Sequence, residues 1–306
     1  MKTRVLGFVL LIGLFMTQAF AEDITLCENP WTGSAVNANI AKLILEDMGH
    51  DVEIIAIDEN SQWAALASGE LSACLELWPS GHLDSIAQYV DNGIVDNIGD
   101  LGVIGKISWY IPTYMLTENP ELATYEGFLD PDNAALFATA QTGDKGQFIG
   151  GDPSFYQFDA DIIDNLGMNL EVVYAGSEAA ELAGLDAAYS REDPYLFYFW
   201  TPHSVHAKYD LTPVALPEYS DDCYAKADDG GIDCDYPADV LMKIAYPGLK
   251  DAAPDAYTVL SNFNYSNEDQ IGLIAAVDEE GMSAEDAAQA WLDANQDVWQ
   301  AWLPAY

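Results

Sequence analysis

The sequence is short of positive charge. Its 306 residues include 10 Lys and Arg against 51 Asp and Glu, for a formal net charge of -41. Nucleic acids and anionic membrane surfaces are gripped through Lys and Arg, so this balance excludes both as partners. The acidity reads as a salt-adapted surface on which ions screen the self-repulsion, and it describes habitat more than activity. Long apolar runs are also missing. After Met16 no stretch approaches the ~20 apolar residues of a membrane-spanning helix. Catalytic signatures are absent too: there is no G-x-S-x-G elbow, H-E-x-x-H helix, Walker A loop or dinucleotide fingerprint. Nothing sets a nucleophile beside a base, so neither an enzyme nor a bound cofactor is expected.

Cysteine is scarce, with four residues in the chain. Lys2 and Arg4 precede an apolar run from Val5 to Met16, and Ala19-Phe20-Ala21 supplies an A-x-A site. Residues 1–21 therefore read as a signal peptide, and no Cys follows the run to carry a lipid anchor. A soluble periplasmic protein is expected, in a compartment where disulfides persist. Cys223 and Cys234 bracket a short acidic loop and are expected to pair. Cys27 and Cys74 fall in two strands that should be neighbours; pairing and two buried thiols both remain open. Asp228, Asp229, Asp233 and Asp235 crowd that acidic loop, but EF-hand spacing is absent and a solvated loop is the simpler reading.

Apolar residues make up 50% of the chain and aromatics 12%, enough for two cores in about 285 mature residues. A weak duplication organises them. In the first half a helix ends at Leu45-Glu46-Asp47-Met48-Gly49, a strand follows at Val52 to Ile55, then a helix over Gln62 to Ala67 and a strand over Ala73 to Leu77 that ends in Trp78-Pro79. In the second half a helix ends at Ile163 to Gly167, a strand follows at Leu170 to Val173, then a helix over Glu178 to Ala188 and a strand over Tyr195 to Phe199 that ends in Trp200-Thr201-Pro202. The glycines suit helix C-caps, where φ is positive. Short apolar strands alternating with amphipathic helices predict an α/β protein of two lobes, each a mostly parallel sheet flanked by helices. The expected division is 22–112 with 214–306 for lobe one and 113–213 for lobe two. Gly105 to Tyr114 is the predicted crossover, and Leu211 to Tyr219 the return. Ser283 to Asp286 resembles a capping box for the last helix, whose Trp291, Trp299 and Trp302 read as packing residues.

The duplication also sorts the aromatic residues. Trp78 and Trp200 stand at equivalent strand ends, and the first strand-to-helix loops carry Asn29-Pro30-Trp31 and Asp152-Pro153-Ser154-Phe155. Ligands of open parallel sheets bind beyond such strand ends. Trp109 and Tyr110, before Pro112, are candidates for the cleft floor, whereas Trp63 within a helix reads as core. Rings in such numbers suit a quaternary ammonium. It has no N–H to donate, and each aromatic face is worth ~0.5–2 kcal/mol to a desolvated cation. For a ligand's negative end, Thr32, Gly33 and Ser34 offer backbone N–H groups at a helix start, and Ser80 is a second donor. His203 and His206 follow Trp200, with His203 retained as a candidate contact.

These residues resemble the substrate-binding proteins of glycine betaine and choline ABC importers. The likeness runs through Asn29-Pro30-Trp31, Glu76-Leu77-Trp78-Pro79, Trp109 to Tyr114, Gly151-Asp152-Pro153, Tyr198 to His203 and Pro254 to Phe263. It implies a type II periplasmic-binding-protein fold that closes on its ligand, acts as a monomer and docks on ABC permease subunits. By that resemblance Trp78 and Trp200 match cage tryptophans, Trp31 matches one of the choline-like branch, and Phe155 falls where some betaine binders place Trp. Gly33 stands where choline binders carry Asp. The exchange favours a betaine-type zwitterion or trimethylamine N-oxide over choline, while Glu28 and Glu76 keep a plain cation in play, and dimethylsulfoniopropionate is a further alternative. An exported hydrolase of choline esters or a sensor domain are the rival classes; the first lacks a candidate nucleophile and the second a signalling segment.

Overall fold

The computed structural model describes residues 23–305, apart from the side chain of Asp228, so the expected signal peptide lies outside the described residues. Among the described residues nine strands form one continuous sheet: β1 (Asp23–Glu28), β2 (Asp51–Ala56), β3 (Ala73–Leu77), β4 (Asp96–Pro112), β5 (Gly146–Gly150), β6 (Leu170–Tyr174), β7 (Phe197–Thr201), β8 (Leu211–Val214) and β9 (Ala238–Ala245). The order is β2-β1-β3-β9-β4-β7-β5-β6, with β8 beside β4. The flanks are parallel triplets of the same design. In one, β1 lies between β2 and β3; in the other, β5 lies between β6 and β7. Helices Thr32–Asp47 and Gln62–Ser68 link the first triplet, and Asp159–Leu166 and Glu178–Arg191 the second. Gly49 and Gly167 follow the first helix of each with φ of +97° and +72°, a region costly to a residue bearing Cβ. The expected two-lobe α/β architecture is present.

The centre departs from the simple repeat. β4 runs 17 residues across both lobes, pairing antiparallel with β9 along Asp96 to Lys106 and with β7 from Lys106 to Tyr110. Its register with β9 shifts near Gly99 and Gly102, whose φ values of +106° and +94° permit the bulges. β7 starts two residues later than the sequence pattern suggests and takes in Trp200, because its ladder with β4 continues through Thr201.

Two large hydrophobic clusters fill the lobes. One gathers β1, β3, the helix Thr32–Asp47 and the C-terminal helices, including Trp291 and Trp302; the other gathers Ile107 to Met115, β5, β7 and the second set of helices. Val214, Leu216, Tyr224, Ile232 and Tyr236 pack into the second cluster. The Cys223–Cys234 disulfide closes the loop in this segment. β9 pairs antiparallel with both β3 and β4. Cys27 and Cys74, on adjacent strands, are both buried free thiols. Ser283 accepts from the Asp286 backbone N–H at 3.0 Å, capping the helix Ala284–Ala294.

β9 is anchored by a buried cation. Lys243, fully buried, donates to the carbonyls of Leu260 (3.0 Å), Ser261 (2.8 Å) and Phe263 at the end of helix Pro254–Asn262. Burial pushes its amine down to about 8. Helix C-terminal carbonyls favour a cation and lack intrahelical partners. Lys243→Met should therefore lower unfolding free energy by about 2–4 kcal/mol in urea titration, since three acceptors lose their donor; an unchanged midpoint would contradict that role.

Candidate ligand-binding site

The clearest cavity among the described residues opens between the two lobes at the strand ends. Trp31, Glu59, Trp78, Ser80, Gly81, Ile107, Phe155, Tyr156, Phe158, Tyr198, Trp200 and Tyr236 line it, around about 490 Å³ of empty space that includes the open mouth. Trp31 and Trp78 come from lobe one; Phe155, Tyr198 and Trp200 come from lobe two. The rings meet edge to face: Trp31 and Phe155 centroids lie 5.6 Å apart at 78°, and Phe155 and Trp200 lie 5.9 Å apart at 85°. Tyr198 sits two residues before Trp200 on β7, 6.1 Å from it, as the two-residue period of a strand requires. Trp200 stacks on Phe199 behind it at 4.3 Å and 11°. Gly105 gives Trp78 its place, since a Cβ there would stand 2.3 Å from the indole.

Three of the lining rings have their polar edges held by buried carboxylates. Glu76 accepts the indole N–H groups of Trp31 (2.7 Å) and Trp78 (3.1 Å), and Asp159 accepts the Tyr236 hydroxyl at 2.9 Å. Burial dominates at both carboxyls and pushes each up to about 7, against the pull of those donors.

Several expected contacts lie elsewhere. Trp109 shares the β4 face of Ile107, which lines the cavity, but lies farther along the strand, fully buried in the second core, where it donates to Asp159 at 2.5 Å. Tyr110 packs against Phe197 and His206, not in the lining. Ser34 is buried, and its hydroxyl accepts the Asn29 backbone N–H at 2.9 Å. Gly33 lies against Glu76 and Gln270, where a Cβ would stand 2.9 Å from the carboxylate and 2.8 Å from the amide. Glu76 is therefore behind the wall rather than in it, and Glu28 is also outside the lining. Ser80 does line the cavity, but its N–H and hydroxyl are directed to Asp239 at 2.9 and 2.7 Å.

The expected anion receptor at the first helix is already taken. The Thr32 N–H donates at 2.7 Å to Glu178 of the opposite lobe, whose other oxygen accepts from His203 Nε2 at 2.9 Å. His203 Nε2 also lies 3.4 Å from Asp278 of lobe one, and its Nδ1 accepts the Val205 N–H at 3.1 Å. These bonds hold His203 buried behind Trp200 and fasten the lobes together. A second fastening uses Glu59, which accepts the Tyr156 N–H at 2.5 Å and pairs with His82 at 3.1 Å. Trp63, expected in the core, is buried and donates to the other nitrogen of His82. Tyr198 was legible from strand alternation alone. Glu59, Tyr156, Phe158 and Tyr236 were not, because long-range packing brings them in.

Glu76 and Asp159 carry a pH consequence. Their folded values lie above the ordinary carboxylate range, so the folded chain binds more protons than the unfolded one between about pH 4 and 7. The stability these groups contribute is present at low pH and lost as pH rises through 7. The ligand-free thermal midpoint at constant high salt should accordingly be higher at pH 5.5 than at pH 8; a higher midpoint at pH 8 would contradict this.

A family model described as the substrate binding domain of ABC-type glycine betaine transport system matches residues 22–294. The trimethylamine N-oxide-binding protein of Pelagibacter ubique (strain HTCC1062) is 26% identical over 311 residues, covering 98% of this chain and 96% of that protein. Among solved structures, the glycine betaine/L-proline-binding protein of Borrelia burgdorferi superposes with a TM-score of 0.75 at 18% identity, over 92% of this chain and 97% of that one. An ABC-transporter choline-binding protein in complex with choline gives 0.72 at 20% identity, over 92% of each chain. At these identities the structures speak for the shared fold alone. The family match spans almost the whole described chain, and the protein belongs to the substrate-binding domains of ABC-type glycine betaine transport systems.

Proposed function

We propose that this chain is the periplasmic binding component of an ABC importer and captures a small methylated ammonium compound between its lobes. The observation that carries the reading is the convergence of Trp31, Trp78, Phe155, Tyr198 and Trp200 on one cleft whose lining includes no Lys or Arg. A trimethylammonium head offers nothing to hydrogen-bond and is attracted to desolvated aromatic faces. Three or four such faces supply several kcal/mol, the scale of micromolar capture at about -8 kcal/mol once apolar burial is added. The lobes would divide near Lys106 on the outward crossing and Ala238 on the return, following the two cores. The reading is of a binding protein, not an enzyme.

The lining also weighs one head group against another. The first helix N-terminus is occupied by Glu178, and Glu59 adds an acidic group to the wall. A betaine carboxylate would meet that acid without a cationic partner. A ligand whose negative group is a single oxygen, or absent, fits better, and Tyr156 and Tyr198 are phenols of the type that can donate to one oxygen. Trimethylamine N-oxide is therefore the first choice and choline the second. The full-length likeness to a trimethylamine N-oxide-binding protein supports that order. Glycine betaine comes third on the geometry, though the family description favours it.

Trimethylamine N-oxide or choline should raise the thermal midpoint of the wild-type protein. Trp78→Ala and Trp200→Ala should each weaken binding at least about tenfold, from the loss of one face and its apolar area. No shift with any of trimethylamine N-oxide, choline, glycine betaine or dimethylsulfoniopropionate would remove the ligand assignment.

A further inference from the structure

Behind the cage lies a carboxylate that faces no open space. Glu76, on β3, is 2% exposed and accepts four N–H groups. Oε1 takes the indoles of Trp31 (2.7 Å) and Trp78 (3.1 Å), while Oε2 takes the amides of Asn37 (2.6 Å) and Gln270 (2.8 Å). A carboxylate offers about four acceptor positions, so all are filled. Both lobe-one tryptophans of the cavity thus hang from a single oxygen atom. The absence of Cβ at Gly33 leaves the space that this cluster occupies.

The same arrangement has an electrostatic effect. The N–H edge of an indole is the positive rim of a ring whose faces are negative. A full negative charge against that rim polarises the ring and enriches the face. Out of bulk water, the charge also attracts a cation held in the neighbouring cavity. We propose that Glu76 is the positioning residue of the cage, a buried anion that fixes Trp31 and Trp78 through one oxygen and tunes their faces for a cationic head group. The proposal rests on the reading of the cavity as an ammonium site.

Protonation opposes this role. A neutral acid group cannot accept all four donors, because its proton takes one of the positions. Burial holds Glu76 up to about 7, so the competing proton is present at physiological pH. The buried Gln270 Oε1 lacks a hydrogen-bond partner, and a turn of that amide would let it accept this proton. Entry of a cation then expels the proton to solvent. Of the groups packed around Glu76, Asn37, Gln270, Trp31 and Trp78 do not titrate. The Tyr265 phenol, bonded to Asn37, is held well above its ordinary value by burial. Glu178, across the cleft, raises Glu76 by its charge and is itself bonded to His203, which titrates nearby.

The test is calorimetry with choline and with trimethylamine N-oxide from pH 6 to 8, in buffers of different ionisation enthalpy. It uses the wild type and Glu76→Gln, with the ligand-free thermal midpoint of each recorded. Wild-type affinity should rise about three- to tenfold across this range, with proton release on binding near pH 7. Glu76→Gln should bind about tenfold more weakly at pH 8, keep its fold and lose that pH profile. Wild-type affinity in Glu76→Gln, or an unchanged pH profile, would place the pH dependence elsewhere than at Glu76 and overturn the proposal. If Glu76→Gln does not fold, Trp31→Phe and Trp78→Phe decide, because each keeps a ring and removes one donor. Weaker binding with a pH midpoint moved upward supports the proposal, and unchanged binding overturns it. A wild type that binds neither compound at any pH removes the cage reading itself, and this proposal with it.

Discussion

A methylated ammonium gives a protein almost nothing to hold. It carries charge without a donor, so its water must be replaced by ring faces, and those faces must be fixed before the ligand arrives. Free rotation of an indole would forfeit much of the ~0.5–2 kcal/mol that each face supplies. Rigidity in turn demands that every buried N–H and O–H behind the cage be satisfied. Glu76 and Asp159 do this for Trp31, Trp78 and Tyr236, and their raised values record what it costs to keep two carboxyls out of water. In a chain of net charge -41, acid groups placed behind and across the cleft also give a positive ligand a favourable field.

The fold delivers the rings by duplication. Two β-α-β-α-β triplets, each with its first strand in the middle, present equivalent strand ends to each other, and the long antiparallel pair β4–β9 joins them. Polar contacts cross between the lobes beside the aromatic ones. Thr32 and Asp278 of one lobe meet Glu178 and His203 of the other, and Glu59 meets the Tyr156 backbone. Partly exposed polar seams of this kind can open and close at modest cost, which a protein that must take up and release cargo requires.

Much of this was legible in the sequence. Strand and helix periodicity, with Gly49 and Gly167 at matched caps, revealed the duplication, and Trp-Pro after matched strands pointed to Trp78 and Trp200. The misplacements share a physical origin. Trp109 and Tyr110, expected on a crossover at the cleft floor, fall inside β4: Trp109 lies two residues beyond Ile107 on the same face and is bonded to Asp159 in the core, and alternation puts Tyr110 on the other face. Ser34 and Gly33 sit at a helix start that suits an anion, yet the anion that arrives is Glu178, some 146 positions away in sequence. Such long-range partners leave no local pattern. Nor does the acidic loop after β8 announce that Tyr224, Ile232 and Tyr236 pack with the second hydrophobic cluster.

The most direct test of the central claim separates charge from shape. Trimethylamine N-oxide and choline have uncharged carbon counterparts of nearly equal size in tert-butanol and 3,3-dimethylbutan-1-ol. If ring faces select the positive head group, titration calorimetry should show each ammonium compound binding at least about tenfold more tightly than its carbon counterpart. Equal affinity within either pair would mean that the cleft recognises a greasy shape alone, and would contradict the account.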